Sequence, residues 1–221
     1  MNFLYVFFVL LTLIVVIPVT AAFLLVYVFA LGFDFLDFSV TTAILALFFM
    51  IVTSFINIPI GRKDVVEVVE PRFFGFFRRS VRRFQGVSIN VGGAVIPLLI
   101  IGFFLPSLWE AGLLRELGVI VAIISVFSFV TSHFIKEKGV VISMILPVLF
   151  TALFAAILAP EEAAKIAFSG GVLGVLIGSD ILHLPYVLKK EKSVVSIGGA
   201  GIFDGIFLVG IISAVLAGIS I

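Results

Sequence analysis

The sequence predicts an all-α integral membrane protein of about seven transmembrane helices, and three observations predict it. The 221-residue chain is 62% hydrophobic and 12% charged, with 26 phenylalanines, whereas a soluble domain is nearer half apolar and a quarter charged. Seven segments are each apolar over the ~20 residues needed to cross the ~30 Å hydrocarbon core. Twelve of the 14 lysines and arginines fall in alternate breaks between those segments.

The expected spans are 3–31, 39–60, 88–108, 117–135, 140–159, 166–184 and 197–219, within one polytopic domain covering 1–221. Backbone in lipid must satisfy its own hydrogen bonds, so each is read as a helix. Residues 3–31 are too long for the apolar region of a signal peptide. No basic segment precedes them and no small-residue cleavage site follows, so they read as the first span. Asp34 and Asp37 close it. Span 2 runs into the longest break, 61–87, which holds "PRFFGFFRRSVRRFQG" (71–86). There Phe73, Phe77, Val81 and Phe84 recur at helical spacing, and Arg78, Arg79, Arg82 and Arg83 supply a basic face. That pattern predicts an amphipathic helix lying in the interface, its arginines on anionic headgroups. Arginine clusters beside a span are ordinary membrane features, so nucleic acid is not expected as a partner. The later breaks are Glu110–Glu116, Lys136–Gly139, Glu161–Lys165 and Pro185–Ser193.

Orientation follows from the basic residues. The breaks after spans 2, 4 and 6 hold twelve of them, and the breaks after spans 3 and 5 hold only Arg115 and Lys165. By the positive-inside rule the richer side is cytoplasmic. The expected location is the cell membrane, N-terminus inside and C-terminus outside.

Only two acids fall within spans, Asp180 in "GGVLGVLIGSDILHLP" (170–185) and Asp204 in "SIGGAGIFDGIF" (196–207). A charged carboxylate in hydrocarbon is expensive, so such residues mark functional sites by default. At ~1.5 Å per residue both lie in the inner half, ~6 and ~10 Å from the cytoplasmic ends of spans 6 and 7. Consecutive spans joined by a short break are expected to be antiparallel neighbours. Two carboxylates sharing a site hold one proton between them near neutrality, the state needed for general acid–base hydrolysis. Proton-coupled transport uses the same property. His183 follows Asp180 by three residues, and Asn90 opens span 3 at the same end. Both are expected to support the pair. Gly170, Gly174 and Gly178 form a small-xxx-small ridge, and Gly201 and Gly205 repeat the spacing on span 7. Asp180, His183 and Asp204 together are a weak ligand set, so neither metal nor cofactor is assigned. An internal echo joins "VSINVGGAVIP" (87–97) to "VVSIGGAGIFDG" (194–205), both opening a span after a basic break.

The strings "INVGGAVIP", "GVLIGSDILHLP" and "IGGAGIFDGIFLVGI" resemble an uncharacterised prokaryotic family of multi-span membrane proteins, a domain of unknown function, over roughly residues 85 to 215. A weaker resemblance is to the presenilin and signal-peptide-peptidase group of intramembrane aspartyl proteases, with paired aspartates on consecutive helices. That group carries Tyr-Asp and Gly-x-Gly-Asp where this chain has Ser179-Asp180 and Phe203-Asp204, has a Pro-Ala-Leu string, and uses nine spans. Phe203-Asp204-Gly205 is similar to the Asp-Gly string of intramembrane zinc proteases, whose His-Glu-x-x-His is absent.

The sequence therefore points to a site on Asp180 and Asp204, read first as a hydrolase cutting membrane peptides near the inner face. The competing classes are a proton- or ion-coupled transporter and a non-catalytic scaffold. The charge split makes a topological prediction. A reporter at the C-terminus should be active only outside the cytoplasm, and one within 61–87 only inside. Reversed activities would invert the orientation.

Overall fold

The computed structural model describes residues 3–72, 77–135, 139–190, 194–199 and 205–220. Side chains of 3–10, 61–84 and 139 are not described. In chain order the elements are α1 (Phe3–Phe35), α2 (Val40–Thr53), β1 (Asn57–Arg72), β2 (Phe77–Asn90) and α3 (Val91–Glu110). There follow α4 (Leu114–Thr131), β3 (His133–Ile135), β4 (Gly139–Val141) and α5 (Ile145–Leu158). The chain continues with α6 (Pro160–Lys190), β5 (Val194–Ile197) and α7 (Gly205–Ile219). The described residues thus form seven helices, one for each expected span. Four are long and apolar enough to cross a membrane: Leu11–Phe35, Val91–Glu110, Leu114–Thr131 and Pro160–Lys190. The other three, α2, α5 and α7, are apolar but hold 14, 14 and 15 residues. They mark a membrane-embedded protein, because so much exposed apolar surface on α1 and α2 needs an apolar solvent.

The segment after α2 corrects the sequence reading. No amphipathic helix forms in its described part. Residues 57–72 and 77–90 pair as an antiparallel hairpin, with a register shift between Ile60 and Asp64. β1 carries Val65, Val66, Val68 and Val69, and β-branched residues favour a pleated strand. Pairing with that valine run outweighs the helical spacing of Phe77, Val81 and Phe84. The expected helix carrying the four arginines is replaced by a strand. Arg79 stands opposite Glu70 and Arg82 opposite Glu67, while Arg78 and Arg83 face Pro71 and Val66 in the register. Phe73 lies outside the described residues. Two other spans shorten for related reasons. Residues 57–60 of the expected second span belong to β1, and 133–135 of the fourth belong to β3, paired with β4.

The echo between the two Gly-rich strings has a structural counterpart. β2 and β5 pair in parallel, with Val87 opposite Val195, Ser88 opposite Ser196 and Ile89 opposite Ile197. The two Val-Ser-Ile triplets lie side by side in register. The sheet order is β1-β2-β5.

α6 is the central helix. It packs on α4, α5 and α7, and Ile166, Phe168, Val172 and Val175 are fully buried. The Gly170–Gly174–Gly178 ridge faces α4 and not α7. A Cβ on Gly170 would lie 2.6 Å from Ile120, and one on Gly174 would lie 2.6 Å from Ile124. One on Gly178 would strike the Ser125 carbonyl oxygen and approach Ser128 Cβ at 2.7 Å. The contact advances four residues on each helix per step, so α4 and α6 run parallel. Helices α6 and α7 meet elsewhere, where a Cβ on Gly171 would come within 3.3 Å of Gly210 Cα. Gly205 faces Ile142 and Met144, and Gly201 lies outside the described residues. At the opposite end of the bundle from the three-stranded sheet, Lys165 bridges Asp37 at 2.8 Å and Glu162 at 2.9 Å, tying the α1–α2 link to α6.

Close backbone approach makes Gly178 intolerant of any side chain. Gly178→Ala should destabilise the bundle by about 1–3 kcal/mol through overpacking. Gly102→Ala, at a position with nothing within 4 Å, should be neutral. Thermal unfolding of the two variants in detergent measures the difference, and equal midpoints would contradict the packing.

Candidate functional site

The site is built where helix geometry departs from regular α. In α6, residues Leu176–Ile181 form a π-helical stretch. The Leu182 N–H bonds Ile177 O at 2.9 Å, one residue beyond the α pattern. Gly178 O, which the α pattern would pair with that N–H, lies 3.1 Å from His183 Nδ1. In the tautomer protonated at Nδ1, the imidazole donates to this carbonyl. The ring also packs against Phe129 at a tilt of 37°, centroids 4.7 Å apart. His183 is thus fixed on its own backbone. Single π turns of this kind recur at functional sites.

Asp180 sits in this stretch and is half-buried. Its Oδ1 accepts from Ser179 Oγ at 2.8 Å, and its Oδ2 accepts from the Gly198 backbone N–H at 2.7 Å. Ser179 Oγ also lies 2.8 Å from Val175 O. Gly198 ends the β5 segment at φ +86°, a region where a side chain is strained. Asp180 therefore reaches the glycine-rich segment that leads toward Asp204. Asp204 itself lies outside the described residues, as does 200–203.

Asn90 follows the Val87-Ser88-Ile89 triplet as Gly198 follows Val195-Ser196-Ile197. It is fully buried and caps α3, its Oδ1 accepting from the Gly93 N–H at 2.7 Å. Its Nδ2 donates to Ser54 O at 2.6 Å and to Asn57 Oδ1 at 3.2 Å. Asn57 Oδ1 also accepts from Ser196 Oγ at 2.6 Å, so one amide oxygen joins β1, β2 and β5. The two halves touch through glycine: a Cβ on Gly93 would strike the Gly198 carbonyl oxygen. In each half a glycine N–H is held by a side-chain oxygen, Asn90 for Gly93 and Asp180 for Gly198. Asn90 and Asp180 thus flank one backbone contact without bonding each other.

Sequence reasoning missed Asn57, placed inside an expected span, and Ser179 and Ser196, which are common residue types with no spacing signal. It also missed Ser128, Ser132 and Ser169, buried hydroxyls with no protein partner. Their signal was available, as polar residues in apolar spans with Ser128 and Ser132 one helical turn apart. Among the described residues no group of three His, Cys, Asp or Glu side chains is placed to hold a metal ion.

Apolar helices around a polar junction of paired strands mark a membrane-embedded protein. The chain belongs to a family described as "Protein of unknown function (DUF1614)", which matches residues 51–216. The match covers both repeats and begins before the hairpin, further toward the N-terminus than the residue 85 expected from the Gly-rich strings. No curated protein and no solved structure matches the chain. The likeness to presenilins finds no support in these comparisons.

Asn90 carries three hydrogen bonds, those to Ser54 and Gly93 buried, so its loss should be severe. Asn90→Ala should cost about 1–3 kcal/mol, because the Ser54 carbonyl and the Gly93 N–H are left buried without a partner. Denaturation of the purified variant reads this, and an unchanged midpoint would remove Asn90 from the framework.

Proposed function

We propose that the protein is a multi-pass membrane protein of the cell membrane, one domain, in which protonation of Asp180 is coupled to movement of the two strand–helix repeats. The reading is a proton- or ion-coupled transporter. The observation that carries it is the bond from the Gly198 N–H to Asp180 Oδ2. As a carboxylate, Asp180 accepts from Ser179 and Gly198 together. A proton on Oδ2 turns that oxygen into a donor, so the Gly198 N–H loses its acceptor and β5 is freed from the π stretch. Transporters commonly place such sites at repeat interfaces, on interrupted helices.

A second reading is favoured by where Gly198 leads. It begins the glycine-rich segment holding Asp204, so the two acids can form the hydrolytic pair expected from sequence, cutting a membrane peptide near the inner face. In that case Asn90 and His183 hold the framework and touch no substrate. Orientation follows the 12-to-2 charge split, with the N-terminus inside, the C-terminus outside, and the hairpin 57–90 at the cytoplasmic face. Arg78 and Arg83, with Arg79 and Arg82, then meet anionic headgroups.

Reconstitution into proteoliposomes tests the first reading. Under an imposed membrane potential the wild-type chain should acidify the lumen, read by a trapped pH dye. Asp180→Asn should lower the rate about tenfold or more while its circular dichroism stays unchanged. A variant as fast as wild type would defeat the reading. Cleavage of a membrane-peptide library lost in both Asp180→Asn and Asp204→Asn, with no dye response, would establish the hydrolase instead.

A further inference from the structure

The C-terminal end of α6 carries a stripe that changes character over two turns. Leu182, Tyr186 and Lys190 follow at four-residue spacing, hence on one face, and all three are exposed. Tyr186 is held from two sides. The Phe134 ring on β3 meets it at 83°, centroids 6.0 Å apart. Lys190 Nζ lies 4.4 Å from the centre of the Tyr186 ring and donates to its hydroxyl. Helical side chains lean toward the N-terminus of their helix, so Tyr186 leans toward Leu182 and Lys190 folds back onto Tyr186. A lysine at the end of a membrane helix ordinarily carries its ammonium outward to water. Here the ammonium turns the other way, toward an apolar flank. Ile181 and Leu182 on α6 and Phe129 and Val130 on α4 are exposed there, and the contact of Phe129 with His183 shows that the two helices adjoin. Among the described residues the ion pairs are those of Lys165 at the other end of the bundle, so no carboxylate there neutralises Lys190. An ammonium has three donors, and Tyr186 takes one. The Tyr186 hydroxyl, accepting from Lys190, keeps its own proton to donate.

We infer that this stripe binds one anionic phospholipid, its phosphate on the Lys190 ammonium and the Tyr186 hydroxyl and its acyl chains along Leu182 and Phe129. The direction of the cation chooses lipid over a soluble anion. A water-borne phosphate would have to leave water to reach the apolar flank, whereas a lipid phosphate is held at that depth by its own chains. Charge complementarity chooses an anionic lipid, since a zwitterionic headgroup brings a second cation beside Lys190. The site is separate from the arginines of β2, and it does not depend on what Asp180 does.

The chain has no cysteine, so Leu182→Cys places a single bimane label on the flank. The full-length labelled protein would be reconstituted in phosphatidylcholine vesicles containing a graded fraction of dibrominated phosphatidylglycerol or of dibrominated phosphatidylcholine. Bromine quenches on contact, so the quenching reads which lipid lies along the stripe. Phosphatidylglycerol should reach half-maximal quenching at about a fivefold lower fraction than phosphatidylcholine. Lys190→Gln should remove that preference. Lys190→Arg, which keeps a cation able to lie on an aromatic ring, should retain it. Lys189→Gln deletes the same charge one residue round the helix and should also leave the preference in place. Equal quenching by the two lipids would overturn the site. Equal losses in Lys189→Gln and Lys190→Gln would overturn it too, because they would show diffuse attraction to a basic surface. Loss of the preference on adding inorganic phosphate at constant ionic strength would replace the lipid by a soluble anion and defeat the proposal.

Discussion

The backbone contact between Gly93 and Gly198 constrains the rest of the structure. Two polar strand–helix units must enter an apolar bundle at one point, and they can approach that closely only where neither residue has a side chain. Everything polar nearby follows from that approach. Each glycine N–H needs an acceptor away from bulk water, and the chain supplies Asn90 to one and Asp180 to the other. Asn57 then joins the sheet by accepting from Asn90 and Ser196. A buried polar network is stable when its members are satisfied and costly when one is removed, which explains why these residues sit among so many aliphatic ones.

The π stretch of α6 belongs to the same arrangement. Asp180 already lies off the Gly170–Gly174–Gly178 face, which is committed to α4. The extra residue in the turn frees Gly178 O, and His183 covers it. One helix therefore presents a flush glycine surface to α4 and a carboxylate to β5 within a few residues. A regular α-helix would give Gly178 and Asp180 a fixed 200° separation, at 100° per residue. The π turn changes that angle.

Much of this was legible in the sequence. Seven apolar stretches became seven helices because composition alone decides what can sit in lipid. Asn90 was placed at the opening of α3, and the likeness of the two Gly-rich strings was noted, though as span openings and not as the strands that β2 and β5 form. The hairpin was not legible, because "FRRSVRRF" has helical spacing on its own and its strand partner, the Val65–Val69 run, lies farther back along the chain. Local periodicity cannot weigh a nonlocal pairing. The glycine ridge was seen, but spacing gives a face and not the neighbour on it, so α4 could not be named. Helix breaks smaller than a turn, such as the π stretch, leave no signature in hydropathy. Asp204 was singled out by its charge in an apolar run, and its relation to Asp180 remains the proposal on which the hydrolytic reading depends.

The short helices bear on the lipid as well as on the protein. α2 has 14 residues, about 21 Å of rise against a hydrocarbon core of about 30 Å. Ile44, Phe48 and Phe49 are exposed along it. Wherever that surface meets acyl chains, the leaflets must draw together to match it, at a cost of fractions of a kcal/mol for each ångström of mismatch. A flank of this length set across a bilayer would draw a pinched annulus of lipid around it. Its energy depends on acyl-chain length, so membrane thickness becomes a thermodynamic variable of this fold alongside temperature and pH.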